Sequence, residues 1–160
     1  MKHIFVLFVL TSLAHARTLE TLCKDNDCFQ SGWTSQGSDG FGLTCECTQN
    51  DCKKYGWRST DTDGSTYDVV CKAGGCFVEG WSSTQVLNGY TLYDQVTCNQ
   101  NDCLKYGSRI KTSYDSGGKV TCFQENCQKY GGLMYWRGEL WQTTCHNGDC
   151  YKYGWTSEIN

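Results

Sequence analysis

The sequence predicts an all-β protein built from six tandem β-hairpin repeats of about 24 residues, each stapled by a disulfide. Three observations predict this class. Twelve of the 13 cysteines fall into six evenly spaced pairs, 18 glycines punctuate the chain, and proline is absent. Glycine supplies the positive φ angles of tight turns, and the absence of proline leaves every backbone N–H available to sheet ladders.

The cysteine pairs define the repeat. Each pair encloses four residues, and the first cysteines of successive pairs are 24, 24, 27, 24 and 23 residues apart. The pairs are Cys23/Cys28, Cys47/Cys52, Cys71/Cys76, Cys98/Cys103, Cys122/Cys127 and Cys145/Cys150. The fourth residue after each second cysteine is glycine in all six copies. A fixed period of this length is the signature of a repeat architecture.

Two turn signals divide each repeat into two short strands. One lies between the paired cysteines. The other follows about midway to the next pair, at Asp39-Gly40, Asp63-Gly64, Asn88-Gly89, Ser116-Gly117-Gly118 and Arg137-Gly138. Asn-Gly and Asp-Gly favour hairpin turns because these residues tolerate the left-handed backbone. The runs between the signals are rich in β-branched and aromatic residues. We therefore expect roughly twelve strands, arranged as an elongated antiparallel meander or β-solenoid with exposed edges.

The paired cysteines are interpreted as structural disulfides. Pairing within each pair suits a hairpin loop, and pairing between adjacent repeats is the alternative. Zinc-binding pairs more often enclose two residues, and no Cys-x-x-Cys redox motif occurs. We therefore expect no metal and no cofactor.

Cys45 is the unpaired cysteine. Valine or threonine stands in its place in four other repeats, at Val69, Val96, Val120 and Thr143. One interpretation is a small buried residue that replaces valine. The other is a free thiol that joins two chains.

Aromatic residues recur in register with the cysteines. Tyr55, Tyr106, Tyr130 and Tyr153 stand three positions after the second cysteine, and Trp33, Trp57, Trp81 and Trp155 stand five positions after it. Positions three and five share one face of a strand, so a single aromatic row is predicted. This row either supplies a core that the scarce aliphatic residues do not, or forms an exposed binding platform.

The N-terminal segment has the parts of a secretory signal peptide. Met1-Lys2-His3 precedes an apolar run from Ile4 to Leu10, and small residues lead to Ala16. The sequence thus predicts a signal peptide at 1–16 and a single repeat domain at 17–160, exported to the extracellular space, the cell surface or, in a bacterium, the periplasm. The apolar run is too short to span a bilayer, which takes about 20 residues.

Composition narrows the function classes. Acidic and basic residues are intermixed, with a formal net charge of −3, so nucleic acid is not expected as a partner. The repeat period and its Tyr, Gly and Trp content are similar to MORN repeats and bacterial choline-binding repeats. Neither family has these cysteine pairs, so nothing is transferred from them.

The sequence offers no catalytic constellation. His146 stands in the last cysteine loop as a turn residue, and the turn aspartates suit backbone hydrogen bonds. We therefore expect a non-enzymatic protein of one of two classes. The first is a self-assembling fibre, matrix or surface-layer component whose partner is itself. The second is a binding module, an adhesin or inhibitor, that recognises an extracellular glycan or protein.

Overall fold

Twelve antiparallel strands close into a single barrel in the computed structural model, which describes residues 17–87, 90–113, 117–136 and 138–159. The predicted signal peptide, the Asn88-Gly89 turn, Ser116 and Arg137 lie outside the described residues. The strands are β1 (Thr18–Cys23), β2 (Trp33–Gly37), β3 (Gly42–Cys47), β4 (Gly56–Asp61), β5 (Thr66–Cys71), β6 (Gly80–Leu87), β7 (Tyr90–Cys98), β8 (Ser108–Thr112), β9 (Gly118–Cys122), β10 (Gly132–Trp136), β11 (Glu139–Cys145) and β12 (Trp155–Ile159).

Closure corrects the predicted open architecture. Each strand pairs with its neighbours in sequence, and β1 also pairs with β12 through a register that places Thr18 opposite Glu158. The all-β class and the twelve strands are confirmed, but the elongated meander or solenoid is wrong. Strand twist bends a long sheet towards closure, and closure leaves no unpaired edge. The edges expected from sequence are therefore absent from the described strands.

The cysteine loops all lie at one end of the barrel, which we call the cystine end. Each of the six loops holds a disulfide between its own two cysteines, with a sequence separation of 5. This is the local pairing, not the ladder between repeats. A loop this short removes little chain entropy, so each bridge contributes about 2 kcal/mol.

One turn of helix follows the second cysteine in five of the six loops. These helices are α1 (Cys28–Ser31), α2 (Cys52–Tyr55), α3 (Cys103–Tyr106), α4 (Cys127–Tyr130) and α5 (Cys150–Tyr153). An aspartate or asparagine precedes each one and caps it. The Asp102 carboxylate, for example, accepts hydrogen bonds from the backbone N–H groups of Leu104 and Lys105 at 3.0 and 2.9 Å. Such a cap satisfies N–H groups that have no partner inside the helix.

The disulfides also connect successive repeats around the ring. The first sulfur of every pair lies 3.3–3.5 Å from the carbonyl oxygen of the preceding repeat's second cysteine. The series is circular, because Cys23 of the first repeat contacts the carbonyl of Cys150 in the last. The cystine end is therefore a continuous ring of six equivalent contacts.

Alternation along the strands separates a barrel interior from an outer wall. Small polar side chains occupy equivalent interior positions in several repeats and bond to one another. Thr21 Oγ1 lies 2.7 Å from Ser35 Oγ, and Thr143 Oγ1 lies 2.9 Å from Ser157 Oγ. Threonine and glutamate dominate the outer positions of β1, where Thr18 and Glu20 lie. The small interior side chains cannot by themselves fill a barrel of twelve strands, so larger side chains must occupy other interior positions.

Candidate functional site

The four tryptophans of the predicted row lie inside the barrel near the cystine end. Ring centroids are 6.0 Å apart for Trp155 and Trp33, 5.5 Å for Trp33 and Trp57, and 5.7 Å for Trp57 and Trp81. Trp33 is buried and the other three are half-buried. These rings follow one another around the wall of the barrel, and in the other two repeats Ser108 and Gly132 take the place of tryptophan.

The tyrosines do not share a strand face with the tryptophans, so that prediction is wrong. Tyr55, Tyr106, Tyr130 and Tyr153 are the last residues of α2, α3, α4 and α5. The strand alternation assumed from sequence does not apply, because a helical turn separates positions three and five. The preceding lysine covers each ring, with Nζ 4.9–5.1 Å from the ring centroid. The tyrosines thus belong to the rim of the cystine end.

An aromatic plug at the cystine end was not predicted. The residue directly after the second cysteine is aromatic in three repeats, and these three rings pack against one another. Phe29 lies 5.0 Å from Phe77 and 4.2 Å from Tyr151 between ring centroids. Lys53 Nζ lies 5.7 Å from the Phe29 centroid and 5.1 Å from that of Tyr151. The signal in the sequence was the apolar residue at this position, at Phe29, Phe77, Leu104 and Tyr151.

Phe29 is the buried ring of the plug, and Tyr151 is half-buried beside it. The Tyr151 hydroxyl is buried and has no hydrogen-bond partner among the described residues. Burial raises the pKa of this phenol, with smaller contributions from Asp102 and Asp149. The ring therefore stays neutral and serves to pack the axis.

A small cleft opens at the cystine end between the first and second repeats. Its volume is about 160 Å³, and its lining residues are Asp27, Phe29, Gln30, Asn50, Asp51 and Lys53. Both carboxylates already cap helices: one Asp27 oxygen accepts from Phe29 and Gln30, and one Asp51 oxygen accepts from Lys54. Helix capping accounts for the acidic residues of this cleft.

Cys45 lies inside the barrel with no exposed surface, and its sulfur is 2.9 Å from Ser59 Oγ. Burial raises the pKa of the thiol to about 12, against the weaker lowering effects of Ser59 and Lys24. Its position is equivalent to Val69, Val96 and Val120, and Val69 and Val96 are also buried. This burial agrees with the interpretation as a small core residue and places the thiol out of reach of a second chain.

His146 bridges two elements of the last repeat. Its Nδ1 lies 3.2 Å from the Tyr153 carbonyl oxygen and its Nε2 lies 2.8 Å from Thr156 Oγ1. Across the described ranges, no three His, Cys, Asp or Glu side chains are grouped so that they could hold a metal ion.

The outer wall of the barrel carries exposed apolar side chains. Six of them point outward from the strands: Leu22, Val70, Val86, Tyr93, Tyr135 and Leu140. Val70 is 63% exposed and Tyr93 is 58% exposed. Of the six, Tyr135 and Leu140 lie directly opposite each other on neighbouring strands, and adjoining exposed apolar side chains mark interaction sites on soluble proteins.

Two groups of exposed charged side chains on the outer wall have opposite sign, in addition to the Arg58–Asp68 ion pair on β4 and β5. The basic wall consists of Arg109, Lys111 and Lys119 on β8 and β9, next to Tyr135 and Leu140. The acidic wall consists of Glu20, Glu46 and Glu158 on β1, β3 and β12, with Leu22 among them. All nine side chains are exposed. None of the six charged groups forms an ion pair within the described part of the chain.

Comparisons with known proteins found no matching family model, no similar curated protein and no similar solved structure. The helices of the described ranges are single turns, and none of them has the length or apolar character needed to cross a bilayer. Six disulfides are typical of proteins from oxidising compartments.

Proposed function

We propose that this chain is a secreted, non-enzymatic structural protein whose barrels associate into an extracellular fibre, matrix or surface layer. The observation that carries the proposal is the set of exposed apolar side chains on the outer wall. Their burial against another barrel removes apolar area from water, which is the dominant favourable contribution to most protein association.

The closed barrel changes the route of assembly that the sequence suggested. Edge-to-edge pairing is not available to closed strands, and Cys45 is buried. Association therefore takes place through side chains of the wall. The stapled repeats supply a rigid unit, and a rigid unit loses little conformational entropy when it assembles.

The test is association measured by light scattering over a wide range of protein concentration, followed by negative-stain microscopy. We expect the secreted chain to form concentration-dependent assemblies that persist when Cys45 is replaced by valine. Leu22→Ser with Leu140→Ser is expected to weaken assembly. Val78→Ser is the matched control. Val78 is 47% exposed, a value between those of Leu140 and Leu22, but it lies in a loop at the cystine end. A protein that stays monomeric at every concentration contradicts the proposal.

A binding module is the second candidate function, favoured by the basic wall. Arg109 and Lys119 face each other across a strand pair and Tyr135 follows Lys119 on the next strand. Cations beside an aromatic ring suit an anionic glycan or an acidic protein surface. A monomeric protein that is retained on an array of sulfated or uronic-acid glycans would support this function instead.

A further inference from the structure

We infer that the basic wall of one barrel binds the acidic wall of a second copy, so that barrels join side by side. The inference rests on the proposed function and names the two surfaces that meet.

The basic wall concentrates like charges that the barrel itself does not neutralise. Arg109 lies directly opposite Lys119, and Lys111 stands two residues further along β8 on the same face. Like charges opposite each other in a ladder destabilise a sheet. An acidic surface placed over them removes this repulsion. The next two cross-strand positions are Tyr135 and Leu140, which are 43% and 40% exposed and give the wall an apolar side.

The acidic wall likewise combines exposed charged side chains with an exposed apolar side chain, but its charges are negative. Glu20 lies on β1 opposite Thr156, two residues before Glu158 on β12. Glu46 extends the acidic surface on β3, where it lies opposite Arg58 of β4, whose guanidinium pairs with Asp68. Leu22 follows Glu20 on the same face and is 52% exposed. A leucine between carboxylates matches a tyrosine–leucine pair beside lysines, because apolar surface then meets apolar surface and opposite charges meet around it.

The two walls occupy different strands, so the contact is heterologous. A barrel that binds a neighbour through its basic wall still presents its acidic wall, and association continues from copy to copy. A second copy is the occupant that the charges favour, since one barrel carries both complementary surfaces. Exposed charge pairs are screened over about 8 Å at physiological salt, so assembly is expected to weaken as salt is added.

Charge reversal with complementation tests this contact. Lys111→Glu with Lys119→Glu makes one variant, and Glu20→Lys with Glu158→Lys makes the other. We expect each variant alone to associate at least about tenfold more weakly than the unaltered chain. An equimolar mixture is expected to recover association, because each reversed wall then meets a wall of the opposite charge.

The control variant is Lys54→Glu with Lys152→Glu, which changes net charge as the first variant does but alters exposed lysines of the cystine end. It should associate like the unaltered chain. Intact disulfides and unchanged far-ultraviolet circular dichroism establish that each variant is folded. Recovery only in the mixture supports the contact.

Two other outcomes overturn it in different ways. If neither charge reversal weakens assembly, the proposed function still holds, but the contact between copies uses another surface. A chain that is monomeric at low salt contradicts the contact and the proposed function together. Retention of that monomer on sulfated dextran, lost with Lys111→Glu and Lys119→Glu, would assign the basic wall to an anionic glycan instead.

Discussion

The glycine shared by all six repeats shows how one residue position sets the local geometry. It has φ between 72° and 98° in every copy and follows the helical turn in the five repeats that have one. A Cβ added there would overlap a backbone carbonyl oxygen of the neighbouring strand, which for Gly107 is that of Val120 and for Gly154 is that of Thr21. Both the left-handed backbone and the close approach of two strands therefore require glycine.

Gly107→Ala is expected to lower the free energy of unfolding by at least about 3 kcal/mol, because the backbone must move to admit the methyl group. Gly64→Ala is the matched control. Gly64 has a similar φ of 85°, but its Cβ would meet open space, so about 1 kcal/mol is expected. Urea unfolding with the disulfides intact measures both. Equal losses would show that backbone strain, and not the strand contact, explains the shared glycine.

At the level of the element, an aspartate or asparagine before the second cysteine determines whether a helix forms. Five repeats have this cap and form a helical turn. The third repeat has Gly75 there, and its Cys76–Glu79 segment forms only turns. The helical turn carries the lysine and tyrosine of the rim, whereas Phe77 reaches the aromatic plug from a repeat without a helix.

Asp102→Ala is expected to destabilise the protein by about 1 kcal/mol, because two backbone N–H groups lose their acceptor. Asp102→Asn should change stability by less than about half of that, since Asn126 caps the fourth repeat's helix by accepting from Lys129 at 2.9 Å. Urea midpoints of the two variants provide the measurement. If both variants lose the same free energy of unfolding, the charge of Asp102, and not its hydrogen bonds, stabilises the helix.

For the whole molecule, closure brings the two ends of the described chain together. The Ile159 N–H donates to the Arg17 carbonyl at 3.0 Å, next to the β1–β12 pairing. In an open meander of twelve strands the ends would lie about 55 Å apart. The ring of sulfur–carbonyl contacts and the row of four tryptophans likewise pass from the last repeat to the first.

A circular permutant tests closure directly. Residues 159 and 17 are joined by a short glycine-serine linker, and new ends are opened between Asp63 and Gly64 in the turn after β4. We expect the permutant to form the same six disulfides and to unfold near the same urea concentration. Disulfide mapping identifies the six cysteine pairs, and circular dichroism follows unfolding in urea. A permutant that fails to fold, while the chain merely nicked at the same turn does fold, would contradict the barrel.

Local features could be predicted from the sequence because they depend on neighbours in the chain. The turn signals, the short β-branched runs and the local disulfides each follow from a few adjacent residues. The helical turns were missed although Asp102 and Gly107, on either side of α3, are a cap and a stop signal. The prediction assumed that side chains alternate between two strand faces through the helical turns as well, and it therefore placed Tyr106 on a strand face.

The sequence by itself therefore determined the repeat, its two strands, its disulfide and its all-β class, because these are set within about 24 residues. Only the tertiary structure decided that the sixth repeat pairs with the first. Similar repeats specify how each one contacts the next. Closure depends on the small twist between successive strands, summed over all twelve, which no single repeat reveals. That closure decided the rest: Cys45 and the tryptophans lie inside, and Lys119 and Glu20 lie on two separate walls outside.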